Sequence, residues 1–101
     1  SSGANVYIQK YSRNYEKLAG AEFELGEAVS DGNGGYTTGT VIKKDITQNK
    51  DGRVHFEKLT YNTIYYVKET KAPEGYRLDD TPYIFMIATR GTTVPNGVNA
   101  I

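Results

Sequence analysis

The sequence contains no cysteine, which removes disulfides, thiolate metal sites and cysteine nucleophiles together. If the protein works outside a cell, some other tie must hold it. No apolar run approaches the roughly 20 residues a helix needs to cross a bilayer. Twelve Lys and Arg balance twelve Asp and Glu, so no long-range field draws the chain toward nucleic acid or an anionic membrane. His55 is the only histidine, and without a second histidine or a cysteine it reads as a surface side chain, not a metal ligand. The four serines all fall in the first 30 residues, none in a Gly-x-Ser-x-Gly elbow, so ordinary hydrolase chemistry has no nucleophile. Asn49, Asp51, Gly52 and Glu57 miss the spacing of a calcium loop, in which Thr47 and Lys58 would take the first and last positions. No phosphate-loop lysine follows the glycines of 31–35. Neither metal nor cofactor is expected.

What is present favours strands. Nine Tyr and three Phe accompany many Thr and Val, side chains that suit a pleated, half-buried surface. A chain of 101 residues makes one domain, 1–101, with a single core. It opens on Ser1-Ser2-Gly3, which reads as a domain excised from a longer protein, with 1–4 a remnant or linker. Alternation marks strands at 6–10, 21–25, 41–47, 53–59, 63–69 and 82–89, with a further stub at 98–101. The segment 26–40 holds SDGNGGYTTGT and reads as a flexible excursion. QNKDG, at 48–52, reads as a hairpin turn. The class is all-β: a sandwich of about seven short strands, immunoglobulin-like or prealbumin-like, whose last strand is short or incomplete. The tyrosines then pack cores and sheet surfaces.

Two ionisable residues break the inward pattern. Lys10 follows Val6 and Ile8, and Glu69 follows Tyr65 and Val67, because alternate side chains share a face. One buried charge alone is costly, whereas a Lys and a Glu in contact offset each other. One reading is therefore a buried salt bridge, or parity that fails at the strand ends. The other is chemical: desolvation lowers a lysine's pKa and raises a glutamate's. A neutral amine is a nucleophile, and an adjacent carboxyl group can shuttle protons while it attacks an Asn or Asp held within reach. The product is an amide between side chains.

VYIQK, KLAGAEFEL, GRVHFEKL and YYVKETKAPEGYRLDDTPY resemble the framework of Cna B-type (collagen-adhesin B-type, prealbumin-like) domains of Gram-positive surface proteins and pilins. The resemblance covers residues 6 to about 87. It implies a spontaneous isopeptide bond with Lys10 as amine donor, Glu69 as the catalytic carboxylate, and an Asn or Asp of the last strand as acceptor. Here the pattern departs from the family, since no complete final strand is visible. Asn99 is the candidate on the stub, Asn96 sits in a Pro-Asn-Gly turn, and the acceptor alternatively lies outside this chain on a strand added at a sheet edge.

The resemblance implies a stalk or pilin module on the cell wall, extracellular, joined to neighbouring domains or subunits. It is not a turnover enzyme, because the bond forms once. The alternative is an adhesin module that contacts host protein or carbohydrate through loops 26–40 and Tyr36. Neither reading involves nucleic acid or a membrane.

Overall fold

β-Branched and aromatic residues in alternation build seven strands among the described residues. The computed structural model describes residues 3–48 and 50–101. Ser1, Ser2 and Asn49, the last assigned above to a turn, lie outside them. The strands are β1 (Ala4–Gln9), β2 (Glu22–Ser30), β3 (Tyr36–Ile46), β4 (Arg53–Leu59), β5 (Ile64–Lys71), β6 (Tyr83–Met86) and β7 (Asn99–Ala100). β1 and β4 pair as one small sheet, and the other five run β3-β2-β5-β6-β7. The sheets meet through Leu25, Val54, Phe56, Leu59, Tyr65, Val67 and Phe85, with Val6, Ile8 and Phe23 packed against them. Those residues share a face by period-two alternation, apart from Leu59, which follows Lys58 at φ 61° and turns inward out of phase, and the chain is the expected all-β, prealbumin-like sandwich.

Several local expectations are corrected. QNKDG is not a hairpin, because β3 lies in the large sheet and β4 pairs with β1, Ile8 opposite Val54. The turn is a crossover between sheets. Gly52 sits there at φ 62°, donates its N–H to Gln48 (2.8 Å) and accepts that of Lys10 (2.9 Å). The excursion 26–40 is mostly sheet, with β2 reaching Ser30 and β3 starting at Tyr36. Only 31–35 is loop. Asp31 closes it by accepting the N–H groups of Asn33 (2.7 Å) and Gly35 (3.0 Å), bonds that hold its carboxyl below the usual carboxylate range. The strand expected at 82–89 is the shorter β6, and β7 pairs with it in parallel.

The outward face of the large sheet is covered as well, although an antiparallel sheet commonly turns that face to water. Glu24 and Tyr66 point away from the sandwich core, yet are 8% and 0% exposed. Tyr66 donates its hydroxyl to Glu24 at 2.5 Å, and Lys44 Nζ lies 3.9 Å from the other carboxylate oxygen. Gly26 makes this possible, because a Cβ there would overlap the Tyr66 ring. Burial first, and the Glu24 carboxylate second, push the Tyr66 phenol up to about 12.

Two outcomes follow from this packing. Gly52→Ala should cost on the order of 2 kcal/mol in urea unfolding, since it combines positive φ with a Cβ set 2.8 Å from the Leu18 backbone nitrogen. The raised Tyr66 pKa means stability is unaffected by this group below pH 10 and falls as pH climbs from about 10 to about 12. Absorbance titration at alkaline pH should show one late-ionising tyrosine, and Tyr66→Phe should remove both it and that stability loss.

Candidate functional site: a lysine and a glutamate at an open sheet edge

Lys10 is the first residue past β1, and its backbone is held on both sides. Its N–H donates to Gly52 O and its carbonyl accepts Leu18 N–H, each at 2.9 Å. Tyr11 and Lys17 then bridge, while Ser12 Oγ accepts the N–H groups of Asn14 (3.2 Å) and Glu16 (3.0 Å) to fold the loop between them. With the backbone fixed, β1 parity sends the side chain toward the large sheet.

Glu69 comes from β5, opposite Phe23 of β2. Its Oε2 lies 3.1 Å from Lys10 Nζ, with the two side chains 23% and 3% exposed. The contact has ion-pair distance without hydrogen-bond angles, so Oε2 is a buried oxygen with no hydrogen-bond partner. Oε1 accepts the N–H of Asp79 at 3.2 Å. The turn after β5 makes that contact possible. Tyr76 N–H bonds Pro73 O at 3.0 Å and Gly75 takes φ 84°, which returns the chain across Glu69 ten residues on.

Around the pair is a cleft of about 410 Å³, lined by Tyr7, Ile8, Gln9 and Lys10 on one side, Phe23, Val67 and Glu69 on the floor, and Asp79, Thr81 and Tyr83 on the other. It follows the edge of β1 away from β4, where no strand pairs among the described residues. The rim is charged at Asp79. The N–H and side chain of Thr81 hold its carboxyl below the usual range, and the positive charge of Lys10 acts in the same direction.

The structure thus brings Lys10 and Glu69 together and places Asn99 elsewhere. Asn99 lies opposite Phe85, which lies opposite Tyr65. That is four residues along β5 from Glu69, roughly 13 Å, and two strands across, roughly 10 Å. Its side chain is engaged with Ile84 O at 2.9 Å. Asn96 is in a turn, with Val98 N–H bonded to Pro95 O at 3.2 Å. His55 faces outward but is half-buried, stacked on Tyr7 at 4.4 Å, with the Arg53 guanidinium 4.6 Å from the same ring. Tyr36 is half-buried too. The roles of Asp79 and Gly52 toward the pair escaped the sequence reading, because each acts through a backbone group that no side-chain pattern marks.

This architecture has known counterparts. A family model for the SpaA prealbumin-like fold domain matches residues 4–100. Among solved structures, the pilus 2b backbone protein of group B streptococcus is 27% identical with a TM-score of 0.66, over 97% of this chain and 39% of that one. The major pilin subunit of Bacillus cereus, BcpA, is 31% identical with a TM-score of 0.65, over 96% and 27%. A C-terminal fragment of a major pilin of Streptococcus agalactiae is 25% identical with a TM-score of 0.62, over 98% and 43%. The chain spans less than half of each of these pilus backbone and major pilin chains. No curated protein matches it. With its two sheets, its ETKAPEGY turn and its match from residue 4 to residue 100, the chain belongs to the family of SpaA prealbumin-like fold domains.

Proposed function

We propose that the chain is a single-domain structural module of a Gram-positive pilus or cell-wall surface protein, extracellular, whose Lys10 and Glu69 are set to form an isopeptide cross-link. One observation carries this reading: a 3.1 Å contact between an amine and a carboxylate only 3% exposed, at the edge of an unfilled cleft. The pilin character is supported by the similar structures, which are pilus backbone and major pilin proteins.

The chemistry needs an Asn or Asp carbonyl brought against Lys10 Nζ. Glu69 takes a proton from the Lys10 ammonium, and the freed nitrogen attacks the acceptor's side-chain carbon. For Asn, the bond to the amide nitrogen breaks as Glu69 passes its proton to that nitrogen, ammonia leaves, and the second proton of the attacking nitrogen returns to the Glu69 carboxylate as the amide forms. For a protonated Asp the same steps release its hydroxyl as water. Asp79 N–H steadies Glu69 through Oε1 and leaves Oε2 toward the amine. The acceptor best fitted to the cleft is carried by an extended segment other than β1–β7, added along the free edge of β1. Where the acceptor lies in the same polypeptide about a domain's length from Lys10, the tie closes most of that length into a loop and constrains the unfolded chain by about 4 kcal/mol, by analogy with a disulfide. The reaction happens once and gives no turnover.

The reading of 26–40 as an adhesive loop has less support, since only 31–35 is loop and Tyr36 is half-buried.

Intact mass tests the proposal. A deficit of about 17 Da reports an Asn acceptor already joined within the chain, and about 18 Da an Asp. If the mass is that of the open chain, a strand-forming peptide of about ten residues, alternating Val and Thr with a central Asp, should give a covalent adduct. Glu69→Ala should abolish it, and an adduct formed by Lys10→Ala protein would overturn the assignment. In urea unfolding of uncross-linked protein, Lys10→Met should cost about 3 kcal/mol, because it strands a buried carboxylate. Glu69→Gln should cost about 1 kcal/mol, since Lys10 at 23% exposure can turn to water. Equal costs would contradict the burial asymmetry.

A further inference from the structure

Asp79 takes no part as a carboxylate in the chemistry above, yet its side chain is one of three charged groups lining the cleft. We propose that Asp79 is the specificity-determining residue of the cleft, selecting an extended segment that carries Lys or Arg next to its Asn or Asp acceptor. This rests on the cleft being a strand-binding edge.

The position of residue 79 follows from two bonds. Its N–H donates to Glu69 Oε1 at 3.2 Å, and its Oδ1 accepts Thr81 N–H at 3.2 Å. Lys10 Nζ lies 3.1 Å from the other oxygen of the same Glu69 carboxylate, so Asp79 and the amine flank one group. An acceptor carbon must come within about 3.5 Å of that amine. Its sequence neighbours then sit about 3.8 Å away along the segment, and alternation turns their side chains from the floor toward the rim, where Asp79 is exposed.

Charge decides what those neighbours should be. Among the described residues Lys10 is the one cation lining the cleft, against Glu69 and Asp79. Amide formation removes that cation and leaves Asp79 facing the joined segment. The rest of the rim is neutral, at Tyr7, Gln9, Thr81 and Tyr83. Arg53, behind Tyr7, is engaged with that ring and with Asp51 at 3.8 Å. A basic residue beside the acceptor supplies the missing charge, and an acidic one meets repulsion.

Two peptides of the Val-Thr design, with Lys or Glu on both sides of the Asp, test this. At low salt the Lys peptide should form adduct about fivefold faster than the Glu peptide, the size expected of an exposed pair. The ratio should fall to about one in Asp79→Asn, which keeps the backbone bond to Glu69, and in about 1 M salt. In Asp79→Lys it should invert. Equal rates in the wild type, or an undiminished ratio in Asp79→Asn, overturn the proposal. The same peptides with Ala in place of the acceptor, followed by calorimetry, separate the two claims. Tighter binding of the Lys peptide without any adduct from the reactive one sustains the selection and sinks the cross-linking, whereas no binding by either sinks both.

Discussion

A carboxylate almost wholly withdrawn from water, at 3% exposure, is the constraint around which this sandwich is arranged. Left alone between two sheets it would cost several kcal/mol. Glu69 instead meets an amine from the opposite sheet on one oxygen and a backbone N–H on the other. Three segments must therefore converge: the end of β1, the distant end of β5, and the return of the chain at residue 79, ten residues beyond Glu69. The Gly52 crossover and the Ser12 loop are the means by which the first is held in place.

That convergence explains why the sheet edge beside the pair matters. The small sheet has two strands, so β1 offers backbone groups on the side where Lys10 and Glu69 meet. An exposed edge invites pairing with another extended segment. A segment that pairs there brings its inward side chains over Phe23, Val67 and Glu69, which positions a carbonyl without any binding loop. Recognition and reaction would then share one surface, with Asp79 at the rim screening by charge.

The second buried carboxylate behaves differently. Glu24 is capped by the Tyr66 hydroxyl and approached by Lys44 at 3.9 Å, a lysine whose side chain is 52% exposed. It is already satisfied by a phenol, whereas Glu69 Oε2 has no hydrogen-bond partner and lines a cleft. Two Glu–Lys contacts whose carboxylates share one sheet thus differ in what surrounds them rather than in residue type.

Composition and alternation alone determined the class, most strand positions, the inward faces of β1 and β5, and the unusual inward pair Lys10 and Glu69, because burial follows a period of two that can be read along the chain. Strand length and partner were another matter. Local pattern joined β3 to β4 as a hairpin, and only the competition among all strands for hydrogen-bonded partners sent β4 to β1. Likewise the burial of Glu24 and the distance of Asn99 from the pair were hidden, since a sequence shows which face a residue takes but not whether that face is covered or which strand lies beside it. Asp79 and Gly52 became visible only in three dimensions, where their contributions are a backbone N–H and a backbone carbonyl that every residue possesses and only the folded chain can aim.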